Sequence, residues 1–249
     1  MVWILTIRHN YIARYNKDQA PKSLKGEPFY GLTLDPDQEV FRDAIWDPSK
    51  KIIVCEAKSG SGKSTISLGT ANLLVQYGFY NGIVYIMSPT MEQRLGYLPG
   101  SLEEKAAPYM QALCDACYTL GIDPNQAIIS EENSQALKEG KAFIQFITDT
   151  FMRGINIENK VVIVDECQNF YFDLLKKTLT RIHDSCKLII IGQKTQCDLV
   201  HKPEKSGFGV YIDAFEKAND SRIQICKLNT NHRGWISNFC DDIFPPYIK

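Results

Sequence analysis

One short run, AKSGSGKST at residues 57–65, has the residue types needed to hold phosphate groups. Gly60 and Gly62 allow a tight turn whose backbone N–H groups face an anion, and a helix that starts after them adds further donors. Lys63 supplies a positive charge for β- and γ-phosphates, and the Ser64 hydroxyl is a suitable ligand for Mg²⁺. The run therefore predicts a P-loop.

The flanking sequence supports this interpretation. The apolar run KIIVCEA precedes the loop and a helical pattern follows it, which is the strand–turn–helix order of a P-loop. Ala57 stands where the motif usually begins with Gly, at the strand end, where a methyl group is tolerable. The predicted nucleotide-binding residues of the loop are Lys58, Ser59, Gly60, Ser61, Gly62, Lys63, Ser64 and Thr65.

A second apolar run, VVIVDE, ends in two acids, Asp165 and Glu166. A carboxylate at a strand end near a P-loop holds Mg²⁺ directly or through water, which is the role predicted for Asp165 beside Ser64. A second carboxylate just past it can polarise a water for attack on the γ-phosphate. Because phosphoryl transfer to another acceptor does not need that second acid, Glu166 favours hydrolysis over a kinase reaction.

Gln38 lies upstream of the loop and has two interpretations. Its amide can pair with both N6 and N7 of adenine. Alternatively, Asp35 is a helix N-cap and Gln38, three residues later, closes a capping box. The residues alone do not separate these roles. The chain has no N-K-x-D motif of the guanine-binding kind, so ATP is predicted rather than GTP.

Strands and helices alternate along the chain. Apolar strand patterns occur at 51–57, 83–88, 142–148, 161–165, 187–192 and 222–228, with helical patterns between most of them. Pro108 either kinks the helix that follows the capping pair Ser101 and Glu104 or begins a second helix. The pattern predicts an α/β fold, a mostly parallel sheet with helices on both faces and ligands at the carboxyl ends of its strands.

Composition bounds the class of protein. The chain has 249 residues, 44% hydrophobic and 23% charged, which is ordinary for a soluble globular protein. Its formal net charge of −1 excludes a protein that coats nucleic acid by charge alone, so nucleic-acid binding would require a local patch. No run is long enough for a membrane span, and a cytoplasmic location is expected, with the eight cysteines reduced. Cys114 and Cys117 are interpreted as packed thiols on one helix face.

Three longer stretches resemble the PhoH-like ATPase family, a relative of superfamily 1 helicase motors. They are RLGYLPGSLEEKAAPYMQALCDA (94–116), FMRGINIENKVVIVDECQN (151–169) and LTRIHDSCKLIIIGQKTQCDL (179–199). The resemblance covers roughly residues 32–243 in family order and implies one RecA-like ATPase domain over 32–249. Residues 1–31 are expected to be an N-terminal strand and loop extension.

The resemblance implies an activity and partners. It implies Mg²⁺-dependent ATP hydrolysis, helicase-like coupling to single-stranded nucleic acid, with RNA favoured over DNA, and a homo-oligomer, expected as a hexameric ring. Some relatives carry a PIN nuclease domain, but too few residues precede the P-loop for one, so the ATPase module alone is expected.

Single residues also acquire roles from the resemblance. Gln38 becomes an adenine reader, and Gln168 and Gln196 stand where such motors sense the γ-phosphate. Arg233, in NTNHRG, matches the late arginine that stabilises transition-state charge, either in its own subunit or across a subunit boundary. Two further arginines are candidates for nucleic-acid or inter-subunit contact, and a surface role is equally compatible with both: Arg153 and Arg181.

Two positions depart from the family pattern. Gln193 replaces the family's Asp after Gly192, and Ser88 replaces the usual Arg before Pro89. Both are expected near the route that couples ATP to nucleic acid. The leading hypothesis is therefore an ATPase that acts on single-stranded nucleic acid. The alternatives are a P-loop kinase with a small acceptor and a nucleotide-dependent binding module with little turnover.

Overall fold

A six-stranded sheet forms the centre of the described chain. The computed structural model describes residues 14–88, 102–130, 134–148, 155–194, 197 and 206–241, with only the backbone for 102–109, 134 and 241. All neighbouring strands of the sheet pair in parallel, in the order β3-β2-β4-β5-β1-β6. The strands are β1 (Ile52–Ala57), β2 (Ile83–Met87), β3 (Ile144–Thr148), β4 (Val161–Asp165), β5 (Lys187–Gly192) and β6 (Ile223–Leu228).

Helices connect these strands, as a parallel sheet requires. Within the described residues they are α1 (Pro36–Trp46), α2 (Lys63–Gln76), α3 (Leu102–Thr119), α4 (Pro124–Ala127), α5 (Ser134–Lys138), α6 (Phe172–Leu179), α7 (Gly207–Ala218) and α8 (Trp235–Asp241). Short 3-10 turns occupy Lys17–Gln19 and Cys167–Asn169.

The core has two parts, one on each face of the sheet. Successive residues of a strand face opposite sides, so Ile53 and Cys55 join the cluster beneath α1, α2 and α3, whereas Val54 joins the cluster beneath α6 and α7. Every residue of β4 is buried, which explains why its sequence is continuously apolar rather than alternating. The predicted fold class, a RecA-like parallel sheet covered on both faces, is confirmed.

The strand order determines where the functional loops meet. β5 pairs with β1 on one side and with β4 on the other. The P-loop follows β1 and the acid pair ends β4, so both lie at the carboxyl edge of the sheet, one strand apart. This is the edge at which parallel sheets bind ligands.

Several sequence expectations changed or lie outside the described residues. A single helix, α3, runs through Pro108, so no second helix begins there. The loop expected within the extension at residues 1–31 contributes Leu24 and Phe29 to the core. Cys114 is half-buried and Cys117 buried, and burial raises the pKa of both thiols. The strand expected at the start of the chain, Ser101 and the side chain of Glu104 lie outside what is described, so the capping pair stays a prediction.

No helix in the described part of the chain is both long enough and apolar enough to cross a bilayer.

Candidate active site

The P-loop has the backbone geometry that its sequence predicts. Gly60 and Gly62 have φ of 71° and 79°, in the left-handed region that glycine adopts without strain. Gly62 directly precedes α2 and brings no side chain to cap it, so the first N–H groups of the helix remain available to an anion. Ala57 is a regular buried strand residue opposite Leu228, which explains why a methyl group is tolerated there.

The acid at the end of β4 reaches the P-loop directly. Ser64 Oγ donates to Asp165 Oδ2 at 2.8 Å, although the two residues lie 101 positions apart in sequence. Asp165 is fully buried, and that burial raises the pKa of its carboxyl, with the neighbouring Glu166 acting in the same direction. The Lys63 charge and the hydrogen bond from Ser64 oppose this and favour the carboxylate.

A tyrosine that sequence reasoning missed completes this contact. The Tyr85 hydroxyl, from β2, also donates to Asp165 Oδ2, and the Tyr85 side chain is fully buried. Burial raises the pKa of the Tyr85 phenol, which keeps it protonated and able to donate. The available signal was a single phenol within the otherwise aliphatic strand IVYIM.

Glu166 is held on two sides. Its Oε1 lies 3.3 Å from Lys63 Nζ, and its Oε2 accepts from Gln168 Nε2 at 2.6 Å. Glu166 has a φ of 49°, and a non-glycine residue in this region is typical of strained positions at functional sites. The arrangement places a carboxylate beside the lysine predicted to contact the γ-phosphate.

Gln168 connects the acid pair to the end of β5. Its Oε1 accepts from the backbone N–H of Gln193 at 3.0 Å. A Cβ at Gly192 would lie 2.7 Å from the same Oε1, so a glycine allows this close approach. Gln193 is therefore buried beside the acid pair, at the place where this chain departs from the family pattern.

Gln38 forms the capping box. Its backbone N–H donates to Asp35 Oδ1 at 2.8 Å, and its Oε1 accepts from the Asp35 N–H at 2.9 Å. Its Nε2 also donates to the Ser61 carbonyl at 2.9 Å, so the side chain ties α1 to the P-loop. Each group of the amide keeps one further hydrogen-bonding position, and adenine reading by Gln38 stays a prediction.

The late segment NTNHRG packs against the P-loop of the same chain. Arg233 Nη1 donates to Ser59 Oγ at 2.9 Å, and the His232 N–H donates to the Gly60 carbonyl at 2.9 Å. Asn231 Oδ1 accepts from the Arg233 N–H at 2.9 Å and so fixes the turn. Sequence reasoning singled out Arg233 but missed Asn231 and His232, which are polar residues outside any regular pattern.

The other residues predicted from the sequence lie in different parts of the chain. Lys58 and Thr65 lie in the loop and in the first turn of α2, and Ser88 is buried just after β2 at the same edge of the sheet. Arg181 is exposed, and its carbonyl accepts from the Ile157 N–H, ahead of β4 and away from the acid pair. Gln196 and Arg153 lie outside the described residues.

Comparison with known proteins agrees with the motif resemblance. A family model described as "PhoH-like protein" matches residues 33–235. A PhoH-like protein of Mycobacterium leprae is 30% identical over 195 residues, which is 76% of this chain and 52% of that protein. Protein PhoH of Escherichia coli K12 is 31% identical over 172 residues, 68% of this chain and 46% of that protein. The chain thus spans about half the length of these relatives.

The chain is also similar to solved structures, among them the following two. The HK97 bacteriophage large terminase has a TM-score of 0.48 and 16% identity, and the match covers 83% of this chain and 41% of that one. The Pyrococcus furiosus Hef helicase domain has a TM-score of 0.44 and 17% identity, and the match covers 83% of this chain and 39% of that one. Family membership follows from the sequence matches alone: the chain belongs to the PhoH-like protein family.

Proposed function

We propose that this chain binds ATP with Mg²⁺ and hydrolyses it. One arrangement carries the proposal: Ser64 contacts Asp165 at 2.8 Å and Lys63 contacts Glu166 at 3.3 Å, so the loop that would bind the phosphates lies beside the residues that would hold Mg²⁺ and activate water. Phosphoryl transfer to water requires these three parts in one place.

The loop and Lys63 bind the phosphates. Backbone N–H groups of the loop and of the first turn of α2 would donate to the β-phosphate, and Lys63 Nζ would contact the β- and γ-phosphates. The Gln38 amide lies against Ser61, at the loop, and would pair with the adenine edge.

Ser64 and Asp165 fit a magnesium ion. A hydroxyl and a carboxylate that already touch are oxygen donors of the kind Mg²⁺ prefers, and the bound nucleotide supplies further oxygens. When bound, the ion neutralises charge that develops on the phosphate oxygens. Tyr85 holds the Asp165 carboxylate in place through its hydroxyl.

Glu166 acts on the attacking water. Its Oε1 lies 3.3 Å from Lys63 Nζ, and phosphates that drew the Lys63 ammonium toward them would release that oxygen. Gln168 continues to hold Oε2, so the freed oxygen keeps its orientation as it takes a proton from water. Arg233, held beside Ser59, supplies positive charge to the transition state.

The proposed partner is single-stranded nucleic acid, with RNA favoured over DNA, and the proposed assembly is a homo-oligomer, a hexameric ring, in the cytoplasm. The motif blocks at 94–116 and 151–169 support these assignments through their resemblance to the family. The formal net charge of −1 means that the nucleic acid must be held by a local cationic surface.

Phosphate release tests the proposal. We expect free phosphate from ATP and Mg²⁺, faster with single-stranded RNA than without it. A Lys63→Met variant should lose turnover because it lacks the phosphate-binding charge. Lys176→Met, which removes an exposed lysine from α6, is the matched control and should keep wild-type turnover.

The same assay separates the rival functions. Tight ATP binding with no phosphate released in either condition would contradict hydrolysis and identify a binding module. Consumption of ATP without free phosphate, only when a small acceptor is present, would identify a kinase. Turnover that RNA and DNA leave unchanged would contradict the nucleic-acid coupling alone.

A further inference from the structure

A cavity lies at the edge of the sheet opposite the P-loop. It has a volume of about 520 Å³ and is lined in part by Lys51, Lys187 and Tyr80, which precede or begin β1, β5 and β2. These are the amino ends of the strands, so the cavity and the phosphate loop are separated by the length of β1, about 20 Å for six residues. A ligand here would be distinct from the nucleotide in the P-loop.

The lining of this cavity is cationic. Four of its residues are lysines, namely Lys17, Lys22, Lys51 and Lys187, and none of its lining residues in the described chain is Asp or Glu. Lys187 Nζ donates to the carbonyls of Ile45 and Asp47 at 2.7 and 2.6 Å, so both hydrogen bonds of the buried ammonium go to neutral groups, and the Asp47 carboxylate acts on it only through its charge.

The other three lysines of the cavity lie at its rim, where their side chains are exposed. Lys51 Nζ donates to the Asp184 carbonyl at 3.1 Å, and Lys17, Lys22 and Lys51 are all exposed. The nearby Asp47 carboxylate accepts from the Ser49 N–H at 2.8 Å. The local excess of positive charge is therefore open to an anion, in a chain whose net charge is close to zero.

Aromatic side chains form the other part of the wall. Trp46 and Phe79 meet edge to face with ring centroids 5.7 Å apart, and Trp46 Nε1 donates to the Pro21 carbonyl at 3.0 Å, which fixes the indole. Lys17 Nζ lies 5.1 Å from the centre of the Phe79 ring. Trp46 is buried and supports the wall, whereas Phe79 is half-buried. A small inorganic anion would make no use of the Phe79 ring, whereas a molecule that joins a planar ring to a negative charge would use both the ring and the lysines.

We propose that this cavity binds a nucleotide unit, with its base against the half-buried rings of Phe79 and Tyr80 and its phosphate among Lys17, Lys22 and Lys51. The volume lies in the range of small-molecule sites. Base stacking on aromatic rings and phosphate pairing with lysines are the two contacts by which single strands are held. The unit belongs to a single-stranded nucleic acid or to a free nucleotide. The first source rests on the proposed nucleic-acid partner.

Fluorescence anisotropy of a labelled 12-nucleotide uridine RNA, without ATP, tests this site apart from hydrolysis. We expect binding by the full chain that persists in Lys63→Met. Lys22→Glu should weaken it about tenfold and lower the steepness of its salt dependence, by about 0.7 in log–log slope for each lysine–phosphate pair removed. Lys22 suits the test because the side chain is exposed and has no hydrogen bond or ion pair within the described chain.

A matched charge change and a ring change complete the design. Lys176→Glu, on α6 at the other face of the sheet, should bind RNA as the wild type does. Phe79→Leu keeps an apolar side chain and should weaken binding about tenfold because the ring no longer stacks on a base. Competition by uridine monophosphate at equal nucleotide concentration indicates a free-nucleotide site, and RNA binding that the monophosphate leaves unchanged indicates a strand.

Two results would contradict a nucleotide site in this cavity. If RNA and uridine monophosphate both fail to bind, or if Lys22→Glu, Phe79→Leu and Lys176→Glu all bind as the wild type does, the cavity is not a nucleotide site. Neither result bears on ATP hydrolysis, which phosphate release measures separately.

Discussion

Replacing Gly60 by alanine separates a backbone effect from a contact effect at the phosphate loop. A Cβ at this position would lie 2.4 Å from Asn231 Oδ1 and 2.9 Å from Arg233 Cγ. Gly26 offers a matched control, because its φ of 80° is close to the 71° of Gly60 but a Cβ there meets nothing within 4 Å. Both substitutions strain the backbone, and only Gly60→Ala displaces the arginine segment.

The magnitude follows from the contacts that must break. The left-handed conformation costs alanine about 1–2 kcal/mol at either position. To clear the new methyl group the Asn231 side chain must move by about 1 Å, since ordinary contacts begin near 3.4 Å. That movement breaks its hydrogen bonds with Arg233 N (2.9 Å) and Ser237 Oγ (2.8 Å), each worth about 1 kcal/mol. We expect Gly60→Ala to lower the free energy of unfolding by about 2 kcal/mol more than Gly26→Ala.

Urea unfolding followed by circular dichroism measures this difference. Phosphate release by the same two variants adds a functional comparison. Gly60→Ala should reduce turnover on the order of 100-fold, since the loop and Arg233 shift by about 1 Å, whereas Gly26→Ala should leave turnover unchanged. Equal losses of stability and of turnover in the two variants would refute the packing of NTNHRG against the loop.

Three further predictions concern single side chains. Tyr85→Phe should raise the Mg²⁺ concentration for half-maximal hydrolysis about fivefold, because the Asp165 carboxylate loses one hydrogen bond worth about 1 kcal/mol. An Mg²⁺ titration that matches the wild type would contradict this. Burial lowers the pKa of Lys187 from 10.5 to about 8, so between pH 8 and pH 10.5 the unfolded chain binds more protons than the folded chain. The free energy of unfolding of the wild type, relative to that of Lys187→Met, should therefore rise with pH by roughly 3 kcal/mol across this window. A difference that does not change with pH in urea unfolding would contradict this. Arg233→Ala should lower ATP turnover about 1000-fold. If Arg233 acts on the nucleotide of its own chain, a mixture of the Arg233→Ala and Lys63→Met proteins should show no recovery of turnover. Recovered turnover in the mixture would assign the arginine to a neighbouring subunit.

The sequence predicts the fold well because its strands are unusually uniform. VVIVD and KLIIIG are buried over their whole length, and continuous apolar runs of this kind, alternating with helical patterns, indicate a parallel sheet. The P-loop and the acid pair follow from local spacing combined with the rule that strand ends share one edge. Pro108 shows the limit of local reasoning, because the structure has one helix where the residue alone allowed two.

What the sequence could not predict are contacts between distant positions. Tyr85 lies 80 residues from the carboxylate that it contacts, and only strand pairing brings them together. Lys187 begins an apolar strand, and nothing local reveals that the end of α1 supplies two carbonyls to its ammonium. The residues alone allow Gln38 two roles; the structure shows the capping box, and the contact with Ser61 depends on how α1 packs against the loop.

The assignment of Glu166 as the base is the centre of the proposed mechanism, and a single-turnover measurement tests it most directly. With enzyme in excess over labelled ATP and Mg²⁺, Glu166→Gln should bind ATP with wild-type affinity but form phosphate at least about 100-fold more slowly. Glu216→Gln, the same change at an exposed position of α7, should match the wild type in both. Phosphate formation at the wild-type rate by Glu166→Gln would contradict that assignment.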